Sequence, residues 1–527
     1  MSGFDIASAQ FRKAIEQHGL GRFTEAVALY DSVIRLNPKA APAYSNRGLA
    51  LAALGRADEA IQSYDRAIKL KPDYAEAYNN RGIALRAAQR LNEALRNFER
   101  AVTVKPDYAE AYNNLGVVLQ DLWRQEDALR SYDRAIALKP DYAEAYNNRG
   151  NALQYLQRPQ EAIQSFDRAI ALNPRAADAY GNKGLTLQDM GRLDDALRCF
   201  DSAIAIDPQG AEAHWNKGLC ALLTQNFTDG WPLYEWRKKR RGQTVYPKYS
   251  QPEWMGEEPL RGKTLLIHAE QGLGDTIQFC RYALLAEAEG AKVILAVQDG
   301  LTRLMKSLSP TIEVASLESA PSATDYHVAL LSLPFAFRTR ADTNPAPVPY
   351  LMPEPERLEK WANSIGREGF KVGISWQGSK HTQVDIGRSF ALKQLEPLSK
   401  IPDVRLISLQ KNDGGEQLND LSTGLRVETL GSDFDADPDA FIDTAAAMQS
   451  LDLVVTSDTA VAHLAGALGR PVWVALKYMP DWRWFLDRSD SPWYPTMTLF
   501  RQSSYGDWSG VFSAMEARLR QETSRPR

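Results

Sequence analysis

Cysteine and histidine are scarce in this chain, which has 3 cysteines and 6 histidines among 527 residues. The cysteines, Cys199, Cys220 and Cys280, are far apart in sequence and have no histidines at metal-ligand spacing. The sequence therefore predicts neither a disulfide framework nor a zinc site. Excess charge is also missing, because 62 basic and 66 acidic residues leave a formal net charge of -4. A general nucleic-acid binder is usually strongly basic, so this class is disfavoured.

Long apolar segments are absent as well. No run of about 18 uninterrupted apolar residues occurs, and the N-terminal sequence MSGFDIASAQFRKAIEQ lacks the apolar core of a secretion signal. What is present is a balanced composition of 44% hydrophobic and 24% charged residues, which excludes a disordered or collagen-like chain. We expect a cytoplasmic protein with reduced thiols, and the length predicts about three to four domains.

Several residue types recur every 34 residues in the first part of the chain. The recurring prolines are Pro38, Pro72, Pro106, Pro140, Pro174 and Pro208, and the recurring glycines are Gly48, Gly82, Gly116, Gly150, Gly184 and Gly218. Alanines keep the same interval from Ala26 to Ala196, and an aromatic residue does so from Tyr30 to Phe200. Small residues let two helices approach, the aromatic ring fills the space between them, and proline ends the second helix.

Each such unit is a helix–turn–helix that buries its apolar face only by stacking on its neighbours. The pattern resembles the tetratricopeptide repeat (TPR), with six units from about residue 4 to 207. A seventh begins at Pro208 and drifts into FTDGWPLYEWR. We expect an all-α TPR solenoid over residues 1–241.

An asparagine precedes each recurring glycine by two residues, at Asn46, Asn80, Asn114, Asn148, Asn182 and Asn216. An amide both donates and accepts hydrogen bonds, so a row of them on the concave face can grip a peptide backbone. The row resembles the asparagine ladder of the O-GlcNAc transferases, which implies a protein or peptide partner in this acceptor groove. The alternative is that these asparagines cap local backbone or face water.

The segment WRKKRR, from Trp236 to Arg241, follows the repeats. It is interpreted as a solvated helix end, whose cations lie near the negative pole of the helix dipole. A nuclear-import or phosphate-binding patch is the alternative.

From Gly262 onward, short apolar runs alternate with helical segments. The runs are TLLIHA, KVILAV, DYHVALLSL, KVGISW, VRLISLQ, LDLVVTSD and PVWVAL. This alternation indicates parallel sheets covered by helices on both faces. The segment NPAPVPYLMPEPER separates two clusters of runs. We expect two Rossmann-like lobes, 242–345 on the acceptor side and 346–527 on the donor side with a C-terminal helix, and a cleft between the carboxyl ends of their strands.

The first run leads into a turn with Gly272, Gly274 and Asp275. The glycines permit a tight turn and close approach of a ligand before a helix that starts near Asp275. The turn lacks the third glycine of a dinucleotide fingerprint, so NAD is not expected. Asp275 is read either as the N-cap of the helix or as a carboxylate at the cleft that takes a proton from an attacking hydroxyl.

The run LDLVVTSD leads into DTAVAHLAGALG. Asp458 is placed to cap the helix, and Thr459 with the amides of Ala460 and Val461 is placed to bind an anion. His463 follows Thr459 by four residues and so shares its helix face. A structural histidine is the alternative, but the combination suits a diphosphate.

Residues 262–510 resemble the heptosyltransferase-type glycosyltransferases (glycosyltransferase family nine), which have the GT-B fold of two Rossmann-like lobes. The resemblance implies that Asp275 is the catalytic base and that Asp458, Thr459, Ala460 and His463 bind the donor sugar and diphosphate. It also implies a cationic residue in the loop WQGSKHTQVDIGRSFAL, where Arg388 fits best and Lys380 is the rival. Gln410 and Lys411 follow a strand end where the nucleotide would lie.

Two further segments are interpreted as structural. The aromatic residues of PDWRWFLDRSDSPWYP are expected to be buried packing, with stacking on a base or sugar as the alternative. The pair Asp435 and Asp437 resembles a metal-binding DxD but precedes a helix in a loop, so no metal and no cofactor beyond the nucleotide sugar is expected.

The layout of repeats followed by such a pair of lobes is similar to that of the O-GlcNAc transferases. The prediction is an inverting, metal-independent glycosyltransferase that moves a sugar from a nucleotide-diphosphate donor to a hydroxyl acceptor, protein or glycan, selected by the repeats. One alternative is a non-catalytic TPR scaffold with a degenerate nucleotide-binding domain. Another is a nucleotide-sugar epimerase, which would need no acceptor groove.

Overall fold

The computed structural model of the chain divides into two compact units, Met1–Gly210 and Ala211–Arg527. It describes residues 3–240, 249–321, 323–343, 348–379, 387–411, 413–419 and 424–524. The two units are described separately below.

The first unit is all-α and consists of six helix pairs. In chain order the helices are α1 (Gly3–Gly19), α2 (Phe23–Leu36), α3 (Ala41–Ala53), α4 (Ala57–Leu70), α5 (Ala75–Ala87), α6 (Leu91–Val104), α7 (Ala109–Asp121), α8 (Gln125–Leu138), α9 (Ala143–Tyr155), α10 (Pro159–Leu172), α11 (Ala177–Asp189) and α12 (Leu193–Ile206). Each helix packs on its partner within the pair and on the neighbouring pair. The predicted TPR solenoid is confirmed over this unit.

The recurring glycine lies where the aromatic ring of the second helix meets the first helix. A Cβ atom at Gly116 would lie 2.5 Å from Cε1 of Tyr132, and equivalent overlaps occur at Gly48, Gly82, Gly150 and Gly184. The rings themselves are buried. The 34-residue spacing of glycine and aromatic residue is therefore a packing requirement of the helix pair.

Replacement of Gly116 by alanine is expected to destabilise the first unit by about 1–3 kcal/mol, because the new methyl group overlaps a ring enclosed on all sides. Gly181, in helix α11, is the matched control, because a Cβ atom there meets nothing within 4 Å. Gly181→Ala should stabilise the unit by up to about 1 kcal/mol through helix propensity. Urea denaturation followed by circular dichroism measures both, and equal effects of the two substitutions would contradict the packing account.

The second unit opens with two more helices, α13 (Ala211–Leu223) and α14 (Phe227–Tyr234), followed by a 3-10 helix at Glu235–Lys239. These helices continue the repeat pattern in sequence, yet they are part of the second compact unit, whose boundary at Gly210 precedes the predicted one at 241. The physical reason lies in α14 and the residues after it. Trp231 is buried and its Nε1 donates to the carbonyl oxygen of Thr339 at 2.8 Å.

The segment WRKKRR, which the structure describes up to Arg240, is only partly solvated, because Lys239 is exposed but Arg237 is buried. Arg237 is buried and donates to both carboxylate oxygens of Glu270, at 2.6 and 3.0 Å. It also donates to Glu235 at 2.6 Å and to Ser332 at 2.8 Å. The solvated interpretation fails at Arg237 because the guanidinium finds buried carboxylates to pair with, which removes the need for water.

Two parallel sheets follow. The first lobe, residues 249–343, has a sheet of order β3-β2-β1-β4, and the second lobe, residues 348–524, has a sheet of order β6-β5-β7-β8-β9. The strands are β1 (Thr264–His268), β2 (Lys292–Val297), β3 (Glu313–Ser316), β4 (Tyr326–Ala329), β5 (Phe370–Ser375), β6 (Val404–Ser408), β7 (Leu453–Ser457), β8 (Val472–Leu476) and β9 (Met497–Arg501). The predicted parallel α/β arrangement is confirmed, and all named strand pairs are parallel.

Helices connect these strands. They are α15 (Leu273–Phe279), α16 (Tyr282–Ala288), α17 (Thr302–Met305), α18 (Leu333–Ala336), α19 (Pro355–Ile365), α20 (Glu396–Ser399), α21 (Ile442–Gln449), α22 (Ala460–Ala467) and α23 (Trp508–Thr523). The last helix packs on α20 and β9 of the second lobe, with Phe512, Met515 and Leu519 in the core. Two short strands, β3 and β9, were not predicted from the sequence.

None of the helices in the described part of the chain combines the length and the apolar character that a bilayer crossing requires.

Candidate functional site

The first sequence motif lies in the turn after β1. Helix α15 begins at Leu273, with Gly272 as its N-cap residue, so Asp275 is the third residue of the helix and not its cap as predicted. The Oδ2 atom of Asp275 accepts from the amide of Gly272 at 3.0 Å. This is the return bond of a capping box, in which a carboxylate in the first turn satisfies an amide that has no helical partner. The side chain of Asp275 is 22% exposed.

Gly274 serves a helix contact where sequence analysis expected ligand approach. A Cβ atom there would lie 3.1 Å from Cδ2 of His463 and 3.3 Å from Cα of Ala460, both in helix α22 of the second lobe. Only glycine lets the two helices come this close without displacement. The two motifs, which are far apart in sequence, therefore face each other within the second unit.

Asp275 also receives a charged partner from the second lobe that sequence analysis missed. Its Oδ1 atom accepts from Nη2 of Arg483 at 2.5 Å. Arg483 lies in the aromatic segment PDWRWFLDRSDSPWYP, which the sequence suggested as packing. The segment is indeed packed, since Trp482, Trp484 and Trp493 are buried. The one signal for Arg483 in the sequence is its position between two tryptophans. A charged side chain that is buried without a partner costs free energy, so a buried arginine is expected to have one.

Burial raises the pKa of Asp275, and the guanidinium of Arg483 opposes that effect. The carboxylate of Asp481 adds to the rise. Asp481 in turn accepts from Nη1 of Arg483 at 2.8 Å. The site thus holds a carboxyl group whose proton affinity is increased, next to a cation that keeps the ionised form accessible.

The second motif starts helix α22 at Ala460, and the N-cap residue is Thr459 rather than the predicted Asp458. Thr459 has an extended backbone and makes no side-chain cap bond. Its hydroxyl lies 3.2 Å from that of Thr456. Asp458 precedes the cap and is buried, and burial together with Asp481 raises its pKa while Arg388 lowers it. The cap is one residue later than predicted because β7 ends at Ser457 and the helix begins only at Ala460, which leaves Thr459 as the extended residue before it.

His463 is buried between the lobes. Its Nδ1 atom is 3.0 Å from the hydroxyl of Tyr494, and its ring stacks on Trp484 with centroids 5.3 Å apart. Burial lowers its pKa well below the usual value, and the neighbouring cations, among them Arg483 and Arg388, lower it further. The imidazole is therefore neutral near pH 7 and cannot contribute a positive charge to an anion.

Gln410, one of the remaining predicted donor-binding residues, is hydrogen-bonded to backbone groups. Gln410 accepts from the amides of Trp376 and Gln377 at 2.9 and 3.1 Å and donates to the carbonyl oxygen of Asp413 at 2.8 Å. Both ends of its amide are thus occupied by backbone, so it holds the loops after β5 and β6 together. These contacts give Gln410 a structural role, and its assignment as a nucleotide ligand stays a prediction.

Lys411 is exposed, and its amine donates to the carbonyl oxygen of Phe434. Arg388 is half-buried, and its Nε atom has no hydrogen-bond partner among the described residues. Its charge acts on both Asp458 and His463. Arg388 is accordingly the cation of the predicted set whose charge acts at the start of helix α22, while its rival Lys380 lies outside the described residues.

The DxD-like pair supports local structure. Asp435 accepts from the amides of Asp443 and Thr444 at 2.8 and 3.3 Å at the start of helix α21, and Asp437 pairs with Arg357 at 3.1 Å. In the described ranges, no cluster of three or more histidine, cysteine, aspartate or glutamate residues is arranged to hold a metal ion.

The predicted asparagine row is largely paired within the solenoid. The Nδ2 atoms of Asn114, Asn148 and Asn182 donate to Oδ1 of Asn79, Asn113 and Asn147, at 2.9, 3.0 and 3.1 Å. Asn80 accepts from Asn79 at 3.3 Å, Asn46 is half-buried, and Asn216 is buried in α13 of the second unit. One amide N–H of Asn114, Asn148 and Asn182 thus links neighbouring repeats, while their contact with a peptide stays a prediction.

A histidine pair at the end of β1 and in β4 has a pH dependence of its own. Nε2 of His268 is 3.4 Å from Nδ1 of His327, and the ring of Tyr249 covers both. Burial lowers the pKa of His268 to about 3, with His327 and Lys238 as smaller causes. The buried ring is therefore neutral at physiological pH.

Acidification is expected to destabilise the second unit through His268. Because its folded pKa lies below the unfolded value of 6.5, the unfolded chain binds the proton first. Stability is then lost as pH falls from about 6.5 to about 3, by up to about 1.4 kcal/mol per pH unit. Urea denaturation of the wild type and of His268→Gln at several pH values measures the slope, and the variant should show the shallower one. Parallel slopes would contradict the assignment.

Comparison with known proteins identifies the first part of the chain. Tetratricopeptide repeat models match residues 11–75, 63–96, 84–122, 124–157, 143–175 and 177–209. The chain is also similar to the protein FlbA of Caulobacter vibrioides, with 30% identity over 318 residues, which is 55% of this chain and 52% of FlbA. The chain thus spans about half the length of this curated relative.

Solved structures with a similar fold include YrrB, described as a TPR protein with an unusual peptide-binding site. It is 28% identical, with a TM-score of 0.31, and the match covers 35% of this chain and 95% of YrrB. A thermophilic TPR protein of Thermus thermophilus is 26% identical, with a TM-score of 0.31, and the match covers 35% of this chain and all of that one (100%). The N-terminal half is a TPR array.

Proposed function

We propose that this TPR protein is a glycosyltransferase of the GT-B type, which transfers a sugar from a nucleotide-diphosphate donor to a hydroxyl acceptor. The observation that carries the proposal is the meeting of two motifs from different lobes. Asp275 follows the carboxyl end of β1, and Thr459 with helix α22 follows the carboxyl end of β7. Ligands of parallel α/β folds bind at this end of the strands.

Asp275 has the properties of a general base for the acceptor. Its two oxygens each accept one hydrogen bond, from Gly272 and from Arg483, so the carboxylate keeps lone pairs for a further donor. Its side chain remains partly exposed. In the proposed reaction, the acceptor oxygen attacks the anomeric carbon, its proton passes to Asp275, and the bond to the diphosphate breaks with inversion.

The leaving diphosphate is assigned to the start of α22. The amides of the first helical turn, the hydroxyl of Thr459 and the guanidinium of Arg388 supply the donors. The charge of Arg388 acts on Asp458, which directly precedes the cap of this helix. His463 supports this site as a neutral group that fixes α22 against α15, because its ring contacts the position of Gly274. No metal ion is included in the proposed reaction.

The repeats are proposed to select the acceptor, as a protein or peptide held on the concave face of the solenoid. The second N–H and the carbonyl oxygen of an asparagine such as Asn148 are the groups proposed to meet the peptide backbone. The second candidate function is a non-catalytic scaffold. The observation that favours it is the extent of the repeat matches, all of which lie within residues 11–209.

A thermal-shift panel of UDP, GDP, ADP and CMP with the full chain tests the proposal. A diphosphate with the correct base should raise the unfolding midpoint of the second unit by several degrees, because it binds only the folded state. Thr459→Val should weaken this shift, while Thr523→Val, at the exposed end of α23, should not. The corresponding nucleotide sugar should then be consumed slowly by hydrolysis when no acceptor is present. Its consumption should be faster when an acceptor is added. Binding without turnover of any sugar would favour the scaffold.

A further inference from the structure

Arg483 is a buried arginine whose charged end joins the two lobes. It is only 7% exposed, and its guanidinium donates to three different side chains. These acceptors are Oε1 of Gln278 at 2.8 Å, Oδ1 of Asp481 at 2.8 Å and Oδ1 of Asp275 at 2.5 Å. Two of the three acceptors belong to the first lobe, whereas Arg483 and Asp481 belong to the second.

The rest of the residue is held as firmly as its charged end. The carbonyl oxygen of Arg483 accepts from Nε1 of Trp493 at 2.9 Å, and its guanidinium lies 4.4 Å from the ring centre of Trp482. A side chain with so many fixed contacts loses its usual freedom, so the position of its Nη2 atom is set by the packing around it.

The contact with Asp275 is single rather than forked. Only Nη2 reaches the carboxylate, because Nη1 and Nε are committed to Asp481 and Gln278. A forked pair would occupy both oxygens of the carboxylate. The single contact leaves lone pairs on the carboxylate of Asp275, which can therefore accept a proton.

We propose that Arg483 is the positioning residue of the base, an element of the second lobe that holds Asp275 ionised and oriented when the two lobes are in contact. This inference rests on the proposed function. Asp275 therefore has its counter-ion only in a chain whose lobes are packed as described, because Arg483 comes from the second lobe.

The pKa of Asp275 depends on the groups that face it from the elements around it. They are Arg483 and Asp481 from the second lobe, Glu270 from the turn after β1 and Tyr234 from α14, while the neutral His463 of α22 lies beside the neighbouring Gly274. Arg483 is the cation of this set that lowers the pKa of Asp275, while burial, Asp481 and Glu270 raise it. Loss of Arg483 should therefore raise it further.

Stability measurements detect this change without any substrate. The pKa of Asp275 is raised on folding, so the carboxyl stabilises the folded chain most below its unfolded value and loses this contribution as pH rises through the folded value. The difference in thermal midpoint between Asp275→Asn and wild type should thus grow with pH and then level off. In an Arg483→Gln background, the levelling should occur about one to three pH units higher.

Two further variants complete the experiment. Arg483→Lys keeps the charge and should shift the pH dependence of the stability difference less than Arg483→Gln does. The lysine variant also provides a folded protein if Arg483→Gln is unstable. Arg488→Gln removes an arginine of the same segment that pairs with Asp490 at 2.7 Å, and should shift nothing. With the donor chosen by the nucleotide panel, the acid limb of the turnover profile should move to higher pH in Arg483→Gln by the same amount.

The two readouts separate the two hypotheses. An unshifted stability difference in both Arg483 variants would overturn the positioning role, whatever the turnover. A shifted difference in a chain that turns over no nucleotide sugar would overturn the transferase, and with it the role of Asp275 as a base.

Discussion

Asp275→Asn is expected to lower turnover of the donor sugar by about 10²–10⁴-fold, which is the usual contribution of a general base. The amide keeps the size of the carboxylate and can still accept from Gly272, so helix α15 should remain in place. It cannot take a proton from the acceptor. Nucleotide affinity should change little, because the diphosphate is assigned to α22. Steady-state kinetics and the thermal-shift assay measure the two effects separately.

Asp490→Asn is the control for this variant. Asp490 is an exposed carboxylate that pairs with Arg488, outside the proposed site, and its loss should leave turnover unchanged. Wild-type turnover by Asp275→Asn would show that the acceptor is deprotonated elsewhere, and the proposed mechanism would be wrong. A loss of nucleotide binding together with turnover would place Asp275 in the donor site instead.

Glu270→Gln is expected to lower the free energy of unfolding of the second unit by about 3–5 kcal/mol. The Arg237–Glu270 pair is almost fully buried, with side-chain exposures of 2% and 1%. Removal of the Glu270 charge leaves the buried guanidinium of Arg237 with one carboxylate, that of Glu235, where the fold supplies two. Tryptophan fluorescence during urea denaturation measures this effect, because the tryptophans other than Trp123 lie in the second unit.

Two comparisons test whether the buried charge is the cause. Arg340→Gln breaks an exposed pair with Asp342 and should change stability by less than about 0.5 kcal/mol. A double replacement of Arg237 and Glu270 by methionine should recover much of the loss, since a buried pair can be exchanged for apolar contacts. A double variant as unstable as the sum of both single variants would contradict this explanation.

The repeat architecture was predictable because its signals are local. Glycine and an aromatic residue at a fixed interval, such as Gly116 and Tyr132, describe one helix pair completely, and the five pairs from α3/α4 to α11/α12 repeat the same contact. The parallel sheets were predictable for the same reason, since short apolar runs report burial on both faces. The strands β3 and β9 were missed because their residues are only partly buried and their patterns are weak.

The candidate site was predictable only in part. Asp275 and the start of α22 were found from turn and helix signals that lie close together in sequence within each motif. Arg483, the partner of Asp275, was not found, because the pairing joins residues 208 apart in sequence. Gln410 and His463 were placed near the site, but their contacts with backbone amides and with Tyr494 are set by tertiary packing.

The amino-acid sequence by itself determined which segments become repeats, strands and helix starts in this protein, because each of these depends on contacts between residues that are near each other in the chain. The tertiary structure alone decided which ionisable groups carry charge and which polar groups already have hydrogen-bond partners. Arg237 is buried because Glu270 reaches it, His463 is neutral because the lobes enclose it, and Asp275 has a counter-ion because Arg483 arrives from the other lobe. Burial and pairing are properties of the folded neighbourhood, and that neighbourhood is assembled from distant parts of the chain.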